Sequence, residues 1–336
     1  MASMAVIGIG YWGPNLVRNF ASLGAFDQVI ACDRDPKRLE AVRRQLPGTE
    51  LCADAAEVFR RPDVQAVAIA TPVRTHHALA KAALEAGKHV LLEKPMTEDS
   101  RQGQELIDLA ARRGLTLMVD HTFLFTGAVE KIREIVARGD LGDKYYVDSA
   151  RVNLGLFQSD VDVIWDLAPH DLSIVGHVFG VKPRVVRAIG RSHAGGTMVD
   201  VAYLHVDYGD GFSAAFHVNW LSPTKIRRMI FAGSKKMIVW DDLEATEKVR
   251  VYDKGVELQL VGEEDKRRIR FDYRTGDAWL PRLDTTEALR KMAGHFVDSF
   301  RNGKKPICGG EEGLDVVRIL EASRASLQQD GQAVVI

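Results

Sequence analysis

The stretch "AVIGIGYWGPNLVRNF", residues 5–20, decides how the chain is read. A short apolar run of strand character breaks into Gly8, Gly10 and Gly13, and apolar residues then return at helical spacing. Glycine between a strand and a helix has a physical purpose. Gly8 permits a tight turn, Gly10 lets a pyrophosphate approach the backbone, and Gly13 lets helix and strand pack closely. The helix N-terminus adds free N–H groups and a partial positive charge for the anion. Tyr11 and Trp12, aromatics within the turn, are expected to brush a bound coenzyme or the substrate edge, with a domain-interface role left open.

The next strand supports a dinucleotide. "VIACD" ends in Asp33, 20 residues after Gly13, where this fold places the carboxylate that holds the adenosine ribose hydroxyls. A carboxylate there repels a 2′-phosphate, so NAD is favoured over NADP. Arg34 and Arg38 follow, placed to stack on adenine or to soften that preference. An N-capping Asp with solvated arginines is the alternative.

Further out, the 336 residues suit two domains of about 150 residues each. An apolar share of 46% and a charged share of 27% are those of a globular protein. A net charge of −1 gives no pull toward nucleic acid or an anionic membrane, and "KIRRM", residues 225–229, is a short basic run embedded in apolar sequence. No apolar stretch approaches the roughly 18 residues that span a bilayer. The N-terminus enters a strand directly, without a basic leader or cleavage site. Cys32, Cys52 and Cys308 are odd in number and lack metal-type spacing, so free thiols in the cytoplasm are expected, and no metal.

The first third alternates buried-strand runs, "MAVIGI", "QVIACD", "AVAIAT", "HVLLEK" and "LTLMVD", with helical segments at 14–23, 36–46, 74–87 and 98–113. Gly87 and Gly114 are C-terminal stops, and Pro36 behind Asp35 is a helix start. Such alternation makes a parallel sheet with helices on both faces. After a helix at 127–138 the period becomes two, from "YYVDSARVN" to "KVRVYD", and helices at about 286–301 and 311–328 close the chain. The expected class is α/β: a Rossmann dinucleotide-binding domain over 1–122, then an α+β domain with a large, mainly antiparallel open sheet over 123–336.

Two clusters carry chemistry. Glu93-Lys94-Pro95 ends a parallel strand, and ligands bind outside those carboxyl ends, so Lys94 should face the crevice. There the like charge of an oxidised nicotinamide helps a lysine act as a proton relay. The bond before Pro95 is a candidate for cis, which would fix the lysine's direction. In "WDLAPHDLSI", residues 165–174, Asp166 and His170 lie four apart on one helix face, suitable for a general acid–base. A buried structural hydrogen bond or half of a metal site are the competing readings. "ATP" places Thr71 and Pro72 along the coenzyme cleft and His76 near its rim, and Glu93 and Trp165 complete the coenzyme contacts.

Strand–GxGxxG–helix, "ATP…H…A", "AGKHVLLEKP" and the D-x-x-x-H of "WDLAPHD" occur in order at matching intervals, so the chain resembles the Gfo/Idh/MocA family over essentially its whole length. That resemblance implies hydride transfer between a nicotinamide and a sugar or cyclitol carbon, Lys94, Asp166 and His170 as the catalytic set, and a homodimer or homotetramer through the open sheet. "GYWGPNLVRNF", "RVNLG…SDVDVIWDLAPHDLSI" and "VNWLSPTKIRRMIFAGSKKMIVWDDLE" are similar to the branch of nucleotide-sugar 3-dehydrogenases of the UDP-N-acetylglucosamine type. Lys225, Arg227 and Arg228 would then meet a substrate diphosphate, and Arg151 and Asn153 the sugar. Rival readings are a 3-ketosugar reductase using NADPH, an inositol or cyclitol dehydrogenase, an NAD-dependent glycosidase and a non-catalytic NAD sensor.

Overall fold

In the computed structural model the apolar runs assemble as their periods require. Residues 2–155, 157–158, 161–261 and 268–336 are described. Ser159 and Asp160 of the quoted "SDVDVIW" stretch fall outside them. The chain forms two compact units, Met1–Thr126 with Thr286–Glu321, and Gly127–Thr285 with Ala322–Ile336.

The first unit holds a six-stranded sheet in the order β3-β2-β1-β4-β5-β6. Its strands are β1 Ser3–Ile7, β2 Gln28–Cys32, β3 Glu50–Cys52, β4 Val64–Ile69, β5 His89–Glu93 and β6 Leu117–Asp120, all parallel. Between them run α1 Gly13–Leu23, α2 Pro36–Gln45, α3 Ala55–Arg60, α4 His76–Glu85 and α5 Ser100–Arg113. The strand order reverses between β1 and β4, the place where this topology opens a crevice. Local chemistry sets the helix ends. Asp35 accepts from the Lys37 N–H at 2.9 Å with Pro36 at the first turn, and Gly24 and Gly114 close α1 and α5 in the left-handed conformation.

Two features depart from expectation. β3 and α3 are additional, so the strand ending in Glu93 is the fifth, not the fourth. The closing helices α8 Ala288–Asn302 and α9 Gly310–Gln328 do not all belong to the second domain, because Thr286–Glu321 folds with the first unit. Phe20 of α1 meets Phe296 of α8 edge-to-face at 6.4 Å, both fully buried.

The second unit is a nine-stranded sheet, ordered β14-β13-β12-β11-β7-β10-β9-β8-β15. Its strands are β7 Lys144–Leu154, β8 Val185–Arg191, β9 Val201–Gly209, β10 Phe212–Asn219, β11 Leu221–Gly233, β12 Met237–Asp241, β13 Val249–Val261, β14 Arg268–Trp279 and β15 Val334–Val335. β7 and β10 pair in parallel and the other neighbours antiparallel. Register puts Val147, Ser149 and Arg151 beside Phe231, Met229 and Arg227 on one face. Helix α7, Val163–Phe179, covers that face, with Phe179 packed on Phe212 and Phe231 at 4.7 and 6.2 Å. The opposite face leaves Ile189, Tyr203 and Ile226 exposed. No helix among the described residues is long and apolar enough to cross a membrane.

One ion pair fixes α7 to the sheet. Arg151 Nη2 lies 2.6 Å from Asp171 Oδ1, its Nε 3.1 Å from both carboxylate oxygens, and the Ser149 hydroxyl donates to Oδ2 at 2.8 Å. All three side chains are buried. Removing one charge strands the other, so Asp171→Ala is expected to lose about 3–5 kcal/mol in urea unfolding. Asp171→Asn, which still accepts from Ser149, is expected to lose less.

Candidate functional site

The glycine turn is built by close contact. Gly8 has φ of +93°, and a Cβ there would stand 2.6 Å from the Ala70 carbonyl oxygen. A Cβ on Gly13 would stand 2.1 Å from the Gly8 carbonyl oxygen. Around Gly10 the nearest atom is Arg38 Nη1 at 3.9 Å, so the space a phosphate would need is present. Helix α1 begins without a side-chain cap; Pro14 has no N–H and the Asn15 N–H donates to the Trp12 carbonyl at 3.0 Å, so the positive end of the helix, more than a row of free amides, faces the turn. Asp33 lies beneath the turn. Its Oδ2 accepts from the Ile9 N–H at 2.7 Å and its Oδ1 from the Asp35 N–H at 2.9 Å, with Arg38 Nη1 3.5 Å away. Arg34 and Arg38 are exposed, as are Pro72 and Tyr11, the latter at 89%. These residues fit a dinucleotide: a turn closed to side chains at Gly8 and Gly13 but open at Gly10, a helix start without a side-chain cap and a carboxylate at the second strand.

The carboxyl ends of β4, β5 and β6 gather polar groups in an otherwise apolar sheet. The Lys94–Pro95 bond is cis. His76, expected at the rim, is instead 1% exposed. Its Nδ1 lies 2.9 Å from the Pro95 carbonyl and its Nε2 2.8 Å from the Thr71 carbonyl, bracing the residue after Lys94 against the end of β4. Burial holds this imidazole below its ordinary pKa, against hydrogen bonds to Thr71, Pro95 and Met96 that work the other way. While neutral it donates to only one of the two carbonyls.

The Glu93 carboxyl accepts from the Lys94 N–H at 2.8 Å. Desolvation, then the neighbouring Asp120 charge, pushes Glu93 well above the usual carboxylate range. Asp120 is raised by desolvation too, although Thr122 and Trp12 donate to it, Trp12 Nε1 at 3.2 Å. Trp12 is therefore tied into this edge. His121 follows, 1% exposed, with neither ring nitrogen hydrogen-bonded among the described residues. Burial, and secondarily the Lys94 charge, pushes it down to about 3. Asp120 and His121 went unnoticed in the sequence, because only strand register brings them beside Glu93 and Lys94.

In the second unit, Asp162 caps α7 by accepting from the Ile164 and Trp165 amides, both at 3.0 Å. Asp166 and His170 follow on successive turns, both partly exposed. Asp166 Oδ2 accepts from the Trp220 indole at 3.1 Å, a partner the sequence did not reveal. Pro169 lies between them inside the helix and lacks the N–H that would bond the Trp165 carbonyl. Trp165 is 2% exposed beneath the Arg324 guanidinium at 4.5 Å, so it packs the unit rather than presenting a face.

The expected substrate residues divide. Asn153 shares the α7 face with Arg151, and its Oδ1 is 3.5 Å from where a Gly155 Cβ would stand, beside Trp220. Arg151 is spent on Asp171 and is withdrawn as a sugar contact. Arg228 pairs with Ala150 on the outer face, away from α7, so it cannot join Arg227 in one clamp. Arg227, on the α7 face, pairs with Asp242 at 3.5 Å. Lys225 is exposed within a register-shifted stretch of β11.

Glycine cradle, strand-end lysine and reversal point define an oxidoreductase of the dinucleotide-binding class. Residues 2–121 match the Gfo/Idh/MocA oxidoreductase family, NAD-binding Rossmann fold, and residues 129–239 match the C-terminal domain of the same family. The chain belongs to the Gfo/Idh/MocA family. It is 24% identical to scyllo-inositol 2-dehydrogenase (NADP(+)) of Bacillus subtilis over 87% of this chain and 85% of that one. It is 32% identical to UDP-N-acetylglucosamine 3-dehydrogenase of Acidithiobacillus ferrooxidans over 55% and 56% respectively. A solved structure of the latter enzyme shares the fold, with a TM-score of 0.80 at 24% identity over 98% of this chain and 99% of that one.

His121 has a measurable consequence. The unfolded chain protonates this residue near 6.5 and the folded chain only near 3, so folded stability falls as pH drops below about 6.5. Its share is about 2 kcal/mol lost by about pH 5. His121→Gln, uncharged throughout, should lose correspondingly less between about pH 7 and 5 in paired urea titrations.

Proposed function

We propose that the protein is an NAD-dependent dehydrogenase that oxidises a ring hydroxyl of a sugar, the C3 hydroxyl of a nucleotide sugar of the UDP-N-acetylglucosamine type. The observation that carries this is a lysine at the carboxyl end of β5 in a chain whose α7 carries Asp166 and His170 one turn apart. Gly8, Gly10, Gly13 and Asp33 would hold the coenzyme, which when bound supplies the hydride acceptor. His170, oriented by Asp166, takes the hydroxyl proton. Lys94 donates a hydrogen bond to the oxygen as it becomes a carbonyl. Trp220 fixes the Asp166 carboxylate and so the direction in which it supports the histidine. Asn153 meets the sugar, and Lys225 the diphosphate.

The likeness to a nucleotide-sugar 3-dehydrogenase supports the substrate, as does a second unit that offers Asn153 and the exposed Lys225. A second reading, a cyclitol dehydrogenase or 3-ketosugar reductase using NADP(H), is favoured by Arg34 and Arg38 standing exposed at Asp33 and by the NADP-named relative. The outer sheet face with Ile189 and Tyr203 would pair with a second copy in a homodimer or homotetramer.

The deciding experiment offers nucleotide sugars and cyclitols with NAD or NADP and follows absorbance of the reduced coenzyme. Turnover of inositol with silence across UDP-sugars would discard the nucleotide-sugar reading and keep the family. Lys94→Ala and His170→Ala should each lower kcat about 10²–10⁴-fold, with coenzyme Kd nearly unchanged. Asp33→Ser should improve NADP binding relative to NAD by roughly tenfold, read by titration of both coenzymes.

A further inference from the structure

Glu93 and Asp120 are direct partners in the β5–β6 register, so their carboxyls leave adjacent strands on the same face, and the Asp120 charge helps push Glu93 upward. Two adjacent carboxylates removed from water repel each other when both are ionised, so the pair favours holding one proton. Its place follows from the other donors. Asp120 accepts from the Trp12 indole and the Thr122 hydroxyl, which favours the ionised form there, and leaves the proton on Glu93. The groups around the pair do not supply that proton's replacement. Lys94 brings one positive charge. Cys308 faces Asp120 as a buried thiol raised well above its ordinary range, with Glu312 behind it. His121 is a buried, neutral ring whose nitrogens have no partner among the described residues, and it lies within reach of the Lys94 charge. Carboxyl pair and idle imidazole thus flank Lys94 at the ends of two adjacent strands.

We propose that Glu93 and Asp120 share one proton at neutral pH, and that this proton sets how strongly the crevice prefers oxidised over reduced nicotinamide coenzyme. The second half rests on the coenzyme reading above. With the ribose assigned to Asp33 on β2 and the pyrophosphate to the turn after β1, the nicotinamide half is left to the β4–β6 side, where the pair sits. The oxidised ring carries a positive charge that the reduced ring lacks. That charge favours breaking the Glu93 O–H bond, with the proton passing to solvent and no change of oxidation state at the pair. Linkage is reciprocal: if the oxidised coenzyme promotes proton release, raising the pH promotes binding of the oxidised coenzyme. Glu93→Gln keeps a hydrogen-bond donor toward Asp120 but has no proton to give up.

Two measurements test this. The infrared spectrum of the coenzyme-free protein at about pH 7, minus that of Glu93→Gln, should show a protonated-carboxyl C=O band that shifts in D2O. Absence of the band overturns the shared proton. Calorimetric titration with NAD+ and NADH between about pH 6 and 9 should show the ratio Kd(NADH)/Kd(NAD+) rising severalfold in the native protein, and substantially less in Glu93→Gln. Any slope from Lys94 survives in the variant, so the difference isolates the pair. Equal slopes overturn the linkage while leaving coenzyme binding intact. Failure of both coenzymes to bind at every pH overturns the coenzyme reading and the linkage with it, and the infrared band still decides the proton.

Discussion

Backbone touches backbone where β1 gives way to α1, and the first unit is organised around that contact. The 2.1 Å between a notional Gly13 Cβ and the Gly8 oxygen means that only hydrogen fits there. The contact aims the start of α1 along the carboxyl edge of the sheet, and Asp33 holds it by accepting from the Ile9 N–H one strand away. On the proposed reading, a carboxylate that fastens the turn would also meet the ribose, serving two ends with one side chain. It uses one lone pair on each oxygen for main-chain amides and keeps others for a ligand.

The same edge carries a concentration of desolvated titratable groups. Glu93, Asp120, His76 and His121 are all shifted mainly by burial, each toward its neutral form. Such groups oppose folding unless something else is gained, and their crowding around Lys94 is the pattern expected where a protein sacrifices stability for a prepared site. His76 is instructive. It touches the residue after Lys94 and the end of β4 together, so it fixes the lysine's loop without needing to meet a ligand.

Much of this was legible in the sequence because it is local. Gly8, Gly10, Gly13, Asp33 and the Glu93-Lys94-Pro95 run lie at strand ends that short apolar runs mark clearly. β3 escaped notice because Glu50, Leu51 and Cys52 are too few to show a period. Charge near in sequence also misled. Arg227 and Arg228 are adjacent in a strand, and a period of two sends them to opposite faces. Arg151 was expected to meet a sugar, but its partner, Asp171, is one residue beyond the histidine that drew attention, and the two charges pair internally. The Glu93–Asp120 contact is a matter of register between strands that no linear spacing encodes.

On the proposed reading, the two units differ in how freely their polar groups can be altered. Along the first unit's edge nearly every group is committed to main chain or to another side chain, so a change there disturbs coenzyme binding and stability together. The second unit separates these tasks. Arg151 and Asp171 anchor α7 from within. Trp220 holds Asp166 through its indole N–H, and the half-exposed Phe157 ring lies against Trp220 at 5.3 Å. Phe157 and Asn153 therefore border the acid–base helix without supporting it. Substitutions at such positions reshape what a ring hydroxyl encounters while leaving Asp166 and His170 on their turns, and that is where differences among sugars and cyclitols would be written.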